Sequence, residues 1–215
     1  MRTLGGTTAR RSLLLVLASL LAALAIGGSS ASANEGLLGL SCGDEPSHPF
    51  LRWLDPLPYT LAPDGGFENG AEGWSLARGA RVVSGNEPFY LSGAGSRSLY
   101  LPAGSSATSP PMCVGLLLPV VRFVSSGGGL LSHIEVEALY TDAGGRQRSV
   151  VLLPGALPSR SWQPTLPLLQ LAGLLNTVSL NGLTTEMSFR FTPKGLLGGG
   201  NWRMDDVYVD PWKRI

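Results

Sequence analysis

Short segments of alternating apolar and polar residues, separated by glycine, proline and serine, fill the chain from residue 64 onward. In the clearest one, residues 133–141, isoleucine, valine, alanine and tyrosine share one face, and histidine and two glutamates share the other. This period is typical of a half-buried β-strand. Because 29 glycines and 16 prolines punctuate the chain, we predict eight or nine short strands with little helix. That pattern indicates an all-β, antiparallel β-sandwich.

Other strands are predicted where apolar residues alternate or β-branched residues cluster. They cover residues 80–83, 97–101, 112–115, 120–125, 149–153, 186–192 and 202–209. The leucine-rich residues 168–175 predict one or two helical turns between strands. The sandwich domain is expected to span residues 64–215.

The first 33 residues have the three parts of a secretion signal. Three arginines form a basic start, residues 12–26 are apolar, and residues 31–33 read Ala-Ser-Ala. We predict cleavage after Ala33 and a secreted, extracellular protein. An uncleaved membrane anchor is the alternative, and the Arg10-Arg11 pair leaves twin-arginine export open beside the general secretory route.

Charge excludes several kinds of partner. The chain has sixteen basic and fifteen acidic residues, and the signal holds three of the basic and none of the acidic ones, which leaves a net charge near −2. This balance gives no electrostatic footprint for nucleic acid or, once the signal is removed, for an anionic membrane. We expect a monomer with one domain.

Residues 34–63 form a segment of a different kind. They contain five prolines, which disfavour helices and central strands, and they contain large apolar residues such as Phe50, Trp53 and Tyr59. The segment is too apolar for a free linker. We predict an extended arm packed on the sandwich.

The two cysteines, Cys42 and Cys113, are most simply a disulfide in an exported protein. Such a bond would close a loop of about seventy residues and stabilise the fold by roughly 4 kcal/mol. Two free thiols or a lipidated Cys42 are the alternatives.

The last predicted strand carries two adjacent aspartates, Asp205 and Asp206. Alternation places Asp205 on the face of the following valines, which would point it into the sandwich. A buried carboxylate needs a partner or a cation, and Glu68 is the expected co-ligand for Ca²⁺. Asp206 is the alternative ligand. A carboxylate that accepts main-chain N–H bonds or pairs with an arginine would need no metal.

Both ends of the domain carry a recognisable motif. Residues 65–70 read Gly-Gly-Phe-Glu-Asn-Gly and are followed by Gly73-Trp74, while residues 202–209 read Trp-Arg-Met-Asp-Asp-Val-Tyr-Val. Together they resemble the two ends of the galactose-binding-like jelly roll found in many carbohydrate-binding modules. The chain as a whole resembles single-domain proteins secreted by bacteria. The resemblance implies a jelly-roll topology and a structural Ca²⁺ held by Glu68 and Asp205.

Sugar binding on such folds generally uses exposed aromatic rings. Trp162, Phe89 and Tyr90 lie in expected loops and are the candidates for a ligand platform. The alternative is that these rings pack against the core or the arm.

Glu135 and Glu137 share one face of a strand, about 7 Å apart. A glycosidase could use a carboxylate pair at this distance, but glutamates on a solvated face are commoner. Arg190 and Arg122 could pair with them. We therefore count Glu135, Glu137 and Arg190 as ligand-binding candidates and predict no catalytic residue.

Three functions remain open at this point. The first is a non-catalytic module that binds carbohydrate or cell-envelope glycan. The second is a structural or protein-interaction sandwich without a sugar site. The third is a glycoside hydrolase-like enzyme that uses the two glutamates.

Overall fold

The computed structural model describes residues 46–115, 120–142, 144–168, 184–196 and 198–210. These residues form one 3₁₀ turn, Leu51–Trp53, and twelve strands. The strands are β1 (Thr60–Leu61), β2 (Ser75–Ala77), β3 (Arg81–Ser84), β4 (Arg97–Leu101), β5 (Ser106–Thr108), β6 (Met112–Gly115), β7 (Val120–Gly127), β8 (Ser132–Thr141), β9 (Gln147–Ala156), β10 (Ser159–Pro164), β11 (Thr184–Gly195) and β12 (Trp202–Asp210). Within the described ranges, no helix is long and apolar enough to cross a membrane.

The strands form two sheets in which all pairings are antiparallel. The first sheet has the order β10-β7-β12-β4-β3, and β1 also pairs with β12. The second sheet has the order β2-β5-β11-β8-β9, and β6 also pairs with β11. The predicted antiparallel sandwich of the jelly-roll class is confirmed.

All the predicted strands are present, with small shifts at their ends. The pattern missed β1, β2 and β5, which have only two or three residues, and β10, which mixes serine, arginine and proline. Trp162 therefore lies in a strand, and its expected place in a loop is wrong. Leu168 forms an isolated bridge with Val121. The helical turns expected after it fall on residues outside the described ranges and stay a prediction.

The core lies between the two sheets and is rich in aromatic rings. Phe123 meets Phe191 edge-on with the ring centres 5.4 Å apart, and Phe67 meets Trp74 in the same way at 5.0 Å. Each fully buried side chain of this size contributes about 2–3 kcal/mol through burial. Phe67 belongs to the opening motif, so that motif is anchored in the core.

Strand β12 contains a β-bulge at the two aspartates. Asp205 pairs with Val124 of β7, and Tyr208 pairs with Arg122, so β12 has one residue more than β7 over this stretch. Asp206 takes up the extra length with a φ of 51°. Aspartate tolerates this left-handed conformation better than most residues.

The bulge reverses the alternation of side chains along β12. Trp202 and Met204 before it, and Val207 and Val209 after it, all belong to the core. Asp205 follows Met204 and so turns to the opposite face of the first sheet. Our expectation that Asp205 points into the sandwich beside the valines is therefore wrong, although the residue is fully buried.

The described part of the arm packs against the first sheet. Its residues Thr60 and Leu61 pair with the end of β12. Phe50 and Tyr59 form a second apolar cluster with Val120 and Tyr208. The arm therefore extends the sheet locally and covers part of its outer face.

The expected disulfide involves one residue outside the described ranges. Cys113 is half-buried in β6, whereas Cys42 and residues 34–45 as a whole lie outside those ranges. The bond and the signal peptide, residues 1–33, stay predictions.

Candidate functional site

The outer face of the second sheet carries a row of side chains that crosses five strands. Arg190 pairs in register with Glu137 on one side and Thr108 on the other, and Glu137 pairs with Val151. Ser75 extends the row beyond Thr108. Since neighbouring strands lie about 4.8 Å apart, the row is roughly 19 Å long. The row is therefore long enough to contact several consecutive units of an extended polymer.

An ion pair fixes the centre of this row. Arg190 Nη2 lies 2.7 Å from Glu137 Oε2, and Nε donates to the same oxygen at 2.8 Å. Both contacts use Oε2, so Arg190 leaves Oε1 of Glu137 to accept another bond. The Arg190 side chain is 38% exposed and the Glu137 side chain is 17% exposed, so a ligand on this face can reach both.

The second predicted glutamate has a different partner. Lys194 Nζ lies 3.5 Å from Glu135 Oε1. Arg122, which we expected near the glutamates, instead pairs with Asp55 of the arm. The structure therefore brings Glu135, Glu137 and Arg190 onto one face and leaves Arg122 elsewhere.

The three candidate aromatic residues lie away from this face. Trp162 is half-buried in β10, at the edge of the first sheet. Phe89 meets Trp53 edge-on at 5.0 Å and carries the guanidinium of Arg52 over its ring at 4.8 Å. Tyr90 is 56% exposed. Phe89 thus packs against the arm, and the structure forms no platform from the three rings.

A separate cluster holds three buried carboxyl groups. Glu87, in the loop between β3 and β4, and Asp205 are fully buried, and Asp206 is 1% exposed. Glu87 N donates to Asp205 Oδ2 at 3.1 Å, and the carboxyl groups of Glu87 and Asp206 share a hydrogen bond. No described lysine, arginine or histidine forms an ion pair with them.

These carboxyl groups position the loop between β3 and β4. Asp206 Oδ2 accepts from the N–H groups of Leu91 and Ser92 at 3.1 and 3.2 Å, and Ser92 Oγ donates to Asp206 Oδ1. Glu87 accepts from the N–H groups of Phe89 and Leu91. The loop conformation therefore depends on the charge state of the cluster.

Burial shifts the acidity of the cluster. Burial, followed by the hydrogen bond to Asp206, raises the pKa of Glu87 to about 7. Burial, followed by the charge of Asp206, raises the pKa of Asp205 to about 8. Close carboxylates that lack a cation retain protons in this way.

Glu68, the expected co-ligand of Asp205, has other partners. Its Oε1 accepts from the N–H groups of Ser96 and Arg97, both at 2.8 Å. Burial alone would raise its pKa, but these hydrogen bonds outweigh that effect and lower the pKa below its ordinary value. Glu68 therefore secures the start of β4.

The two motifs meet through glycine backbone rather than through Glu68. Val207 N donates to Gly65 O at 3.0 Å. A Cβ on Gly66 would lie 2.9 Å from Ser92 Oγ and 3.2 Å from Asp206 Oδ1. A side chain at position 66 would therefore push Ser92 and Asp206 out of their present positions in the carboxyl cluster.

The buried carboxyl groups provide a test of the expected metal. Glu87 and Asp206 supply oxygen ligands of the type that Ca²⁺ prefers. Asp205 already accepts from two N–H groups, those of Glu87 and Asp206. In the described part of the chain, no three metal-ligating side chains surround one point. The residues fit Ca²⁺ only if main-chain carbonyls and water complete the shell.

Sequence reasoning missed Glu87. It lies in a loop 118 residues before Asp205, and its neighbours Asn86 and Pro88 mark only a turn. The one available signal was its place between two predicted strands, residues 80–83 and 97–101.

Comparison with known proteins gives similar folds but no family. No protein-family model matches the chain, and no curated protein sequence matches it. The chain is similar to the CBM22-1–GH10 modules of endo-1,4-β-D-xylanase 10B from Clostridium thermocellum, solved with xylohexaose. The sequences are 12% identical, the TM-score is 0.49, and the match covers 70% of this chain and 28% of that one.

Two further solved structures are shorter and match over most of their length. The CBM22-1 xylan-binding domain of Xyn10C from Paenibacillus barcinonensis is 13% identical, with a TM-score of 0.48 and coverage of 70% of this chain and 94% of that one. TmCBM61, solved with β-1,4-galactotriose, is 17% identical, with a TM-score of 0.41 and coverage of 69% and 96%. Carbohydrate-binding modules, as expected, are thus among the similar structures. The scores lie below 0.5, so the functional argument rests on this chain's own side chains.

Proposed function

We propose that this protein is a non-catalytic module that binds a linear polysaccharide across the outer face of its second sheet. The fixed Glu137–Arg190 pair at the centre of the cross-strand row carries the proposal. A carboxylate and a guanidinium side by side can accept from and donate to neighbouring sugar hydroxyls. Val151, 40% exposed beside Glu137, offers an apolar contact for the C–H face of a sugar.

The test is binding to a panel of plant and cell-envelope polysaccharides, measured by affinity electrophoresis and by depletion onto insoluble polymers. Arg190→Gln and Thr108→Ala should each weaken binding about tenfold, since each removes a hydrogen-bonding group from the row. Arg148→Gln is the matched control, because Arg148 forms a similar ion pair with Asp142 on the β8–β9 turn. A panel without any binding, or equal losses in the control, would reject the proposal in favour of a structural or protein-interaction role.

We infer that Glu135 and Glu137 do not catalyse glycoside hydrolysis. Each glutamate is engaged by a basic side chain, Glu137 by Arg190 and Glu135 by Lys194, an arrangement that suits ligand binding better than acid–base catalysis. If the protein does hydrolyse a polysaccharide, Glu135→Gln combined with Glu137→Gln should leave turnover unchanged. Loss of turnover in that double variant would assign these residues to catalysis.

We also propose that Glu87 and Asp206 bind a structural Ca²⁺. Two buried carboxyl groups share a hydrogen bond there, in a place where a divalent cation would neutralise both. Asp205 accepts from the N–H groups of Glu87 and Asp206 and would hold these two residues in position. Glu68 would not be a ligand. When bound, the ion would supply charge neutralisation and hold the loop on β12.

Thermal melting in EDTA and in Ca²⁺ tests this proposal. Ca²⁺ should raise the melting temperature of the wild-type protein by several degrees, because it binds only the folded state. Glu87→Gln should lose this response, while Glu72→Gln, on the exposed turn before β2, should keep it. Equal melting with and without Ca²⁺ at pH 8 would show that no such site exists.

We also propose that the protein is exported and that Cys42 and Cys113 form a disulfide. Both predict a single oxidised species outside the cytoplasm. Mass spectrometry of the exported protein without reductant should give an N-terminus at Asn34 and a mass two hydrogens below that of the reduced chain.

A further inference from the structure

Four exposed leucines lie at one end of the sandwich. Leu130 and Leu131 occupy the turn between β7 and β8, Leu157 lies between β9 and β10, and Leu196 directly follows β11. They are 79%, 66%, 65% and 83% exposed, respectively. Single exposed leucines are ordinary, but a group on adjacent turns marks an interaction surface. We call this surface the leucine end.

The turns that carry these leucines pack on one another. Gly128 N donates to Asn201 O at 2.8 Å, which joins the β7–β8 turn to the β11–β12 turn. A Cβ on Gly128 would lie 2.8 Å from Pro158 Cβ, which brings in the β9–β10 turn. Ala103 N donates to Asn201 Oδ1 at 3.1 Å, which adds the β4–β5 turn. The leucines therefore project from turns that contact one another.

The leucine end also differs from the rest of the molecule in charge. The described residues of the turns at this end, 78–80, 102–105, 128–131, 157–158, 196 and 198–201, contain no aspartate or glutamate. Arg78 lies in one of these turns, and Arg81 and Arg160 lie in the strand ends beside them, while Lys194 nearby is paired with Glu135. Arg81 Nη1 donates to Gly79 O, which directs it toward this end. The Asp142 turn lies at the opposite end, and the buried carboxyl cluster lies about halfway along β12.

We propose that the leucine end docks onto an anionic lipid surface. The leucine side chains would enter the boundary between headgroups and acyl chains, and the arginines around them would contact anionic headgroups. A second copy of the chain fits less well, because a symmetric contact would bring basic residues against basic residues. The near-zero net charge, from which we expected no membrane partner, conceals this separation of charge.

The experiment is vesicle co-sedimentation with the protein as cells export it. Binding is compared between vesicles of equal phosphatidylglycerol and phosphatidylcholine and vesicles of phosphatidylcholine alone. We expect binding to the anionic vesicles, weakened about tenfold in Leu130→Asn/Leu131→Asn and severalfold in Arg78→Gln/Arg160→Gln. Added salt should weaken it as well.

Leu54→Asn is the matched control. Leu54 is 93% exposed and lies on the arm, away from the leucine end. It has a φ of 61°, close to the 57° of Leu131, and asparagine tolerates this conformation at both positions. Leu54→Asn should leave vesicle binding unchanged, and so should Arg190→Gln, which tests polysaccharide binding separately.

Other outcomes overturn the proposal. Absence of binding to anionic vesicles, equal binding to both vesicle types, or equal losses in Leu54→Asn would each do so. A dimer in light scattering that Leu130→Asn/Leu131→Asn dissociates, with no vesicle binding, would assign the leucine end to contact between copies.

Discussion

Glu87 and Asp206 share a hydrogen bond between their buried carboxyl groups, one in the loop after β3 and the other in the bulge of β12. Two carboxyl groups can share such a bond only if one of them keeps a proton. The same space suits a cation. The position of the β3–β4 loop, the pKa of Glu87 and the proposed binding of Ca²⁺ therefore depend on the same two carboxyl groups.

The first prediction concerns pH in the presence of EDTA. Folding raises the pKa of Asp205 from 3.8 to about 8 and that of Glu87 from 4.5 to about 7. At a pH between the unfolded and the folded pKa of each group, that carboxyl group holds a proton in the folded state that it has released in the unfolded chain. The free energy of unfolding therefore falls as pH rises. The stability that these two protonated groups contribute is fully present below about pH 4 and lost by about pH 8. The buried hydroxyl of Tyr208, which has a raised pKa, also faces the cluster.

Denaturant unfolding at a series of pH values measures this dependence. The free energy of unfolding should decline from about pH 4 to 8 in EDTA, and the decline should be smaller in Ca²⁺. Stability that rises steadily over this range in EDTA would contradict the prediction.

The second prediction is that Asp206→Asn stabilises the protein in EDTA at pH 8. Asparagine tolerates the φ of 51°, can donate to Glu87, and removes one of the adjacent negative charges. We expect a gain on the order of 1 kcal/mol. The same variant should lose its response to Ca²⁺. Asp142→Asn, in an exposed turn, should keep that response, and a destabilised Asp206→Asn protein would argue against the crowding of carboxylates.

The third prediction separates Glu68 from the metal site. Glu68→Ala removes the acceptor for two N–H groups at the start of β4, which costs about 1–2 kcal/mol. The rise in melting temperature on adding Ca²⁺ should remain. If it disappears while the protein stays folded, Glu68 is a ligand, as its place in the opening motif first indicated.

Regular alternation explains which parts of the fold could be predicted. Residues 133–141 and 186–192 repeat with a period of two, and both form long strands of the second sheet. Strands of three residues, such as β2 and β5, are too short to show a period, and their pairing depends on contacts distant in the chain.

The candidate sites were harder to predict because they depend on irregular geometry. Sequence alone brought Arg190 and Glu137 together, since both lie on polar faces of alternating strands. It could not reveal the bulge at Asp206, which turns Asp205 away from the valines. It also gave no reason to bring Glu87 to these aspartates, because a loop follows no period.

The last prediction concerns the arm. Arg122 Nη1 forms a buried ion pair with Asp55, while Nε and Nη2 donate to Thr165 O and the guanidinium lies 4.1 Å from the centre of the Phe50 ring. Asp55→Ala would leave this cation buried without its counter-ion, which costs about 3–5 kcal/mol.

Denaturant unfolding of single and double variants measures the coupling. Arg122→Met in the Asp55→Ala background should recover part of the loss, because an apolar side chain of similar size needs no counter-ion. Arg148→Ala, which breaks the exposed pair with Asp142, should cost under about 1 kcal/mol. A loss below about 1 kcal/mol for Asp55→Ala would mean that the arm contributes little to the folding of the sandwich.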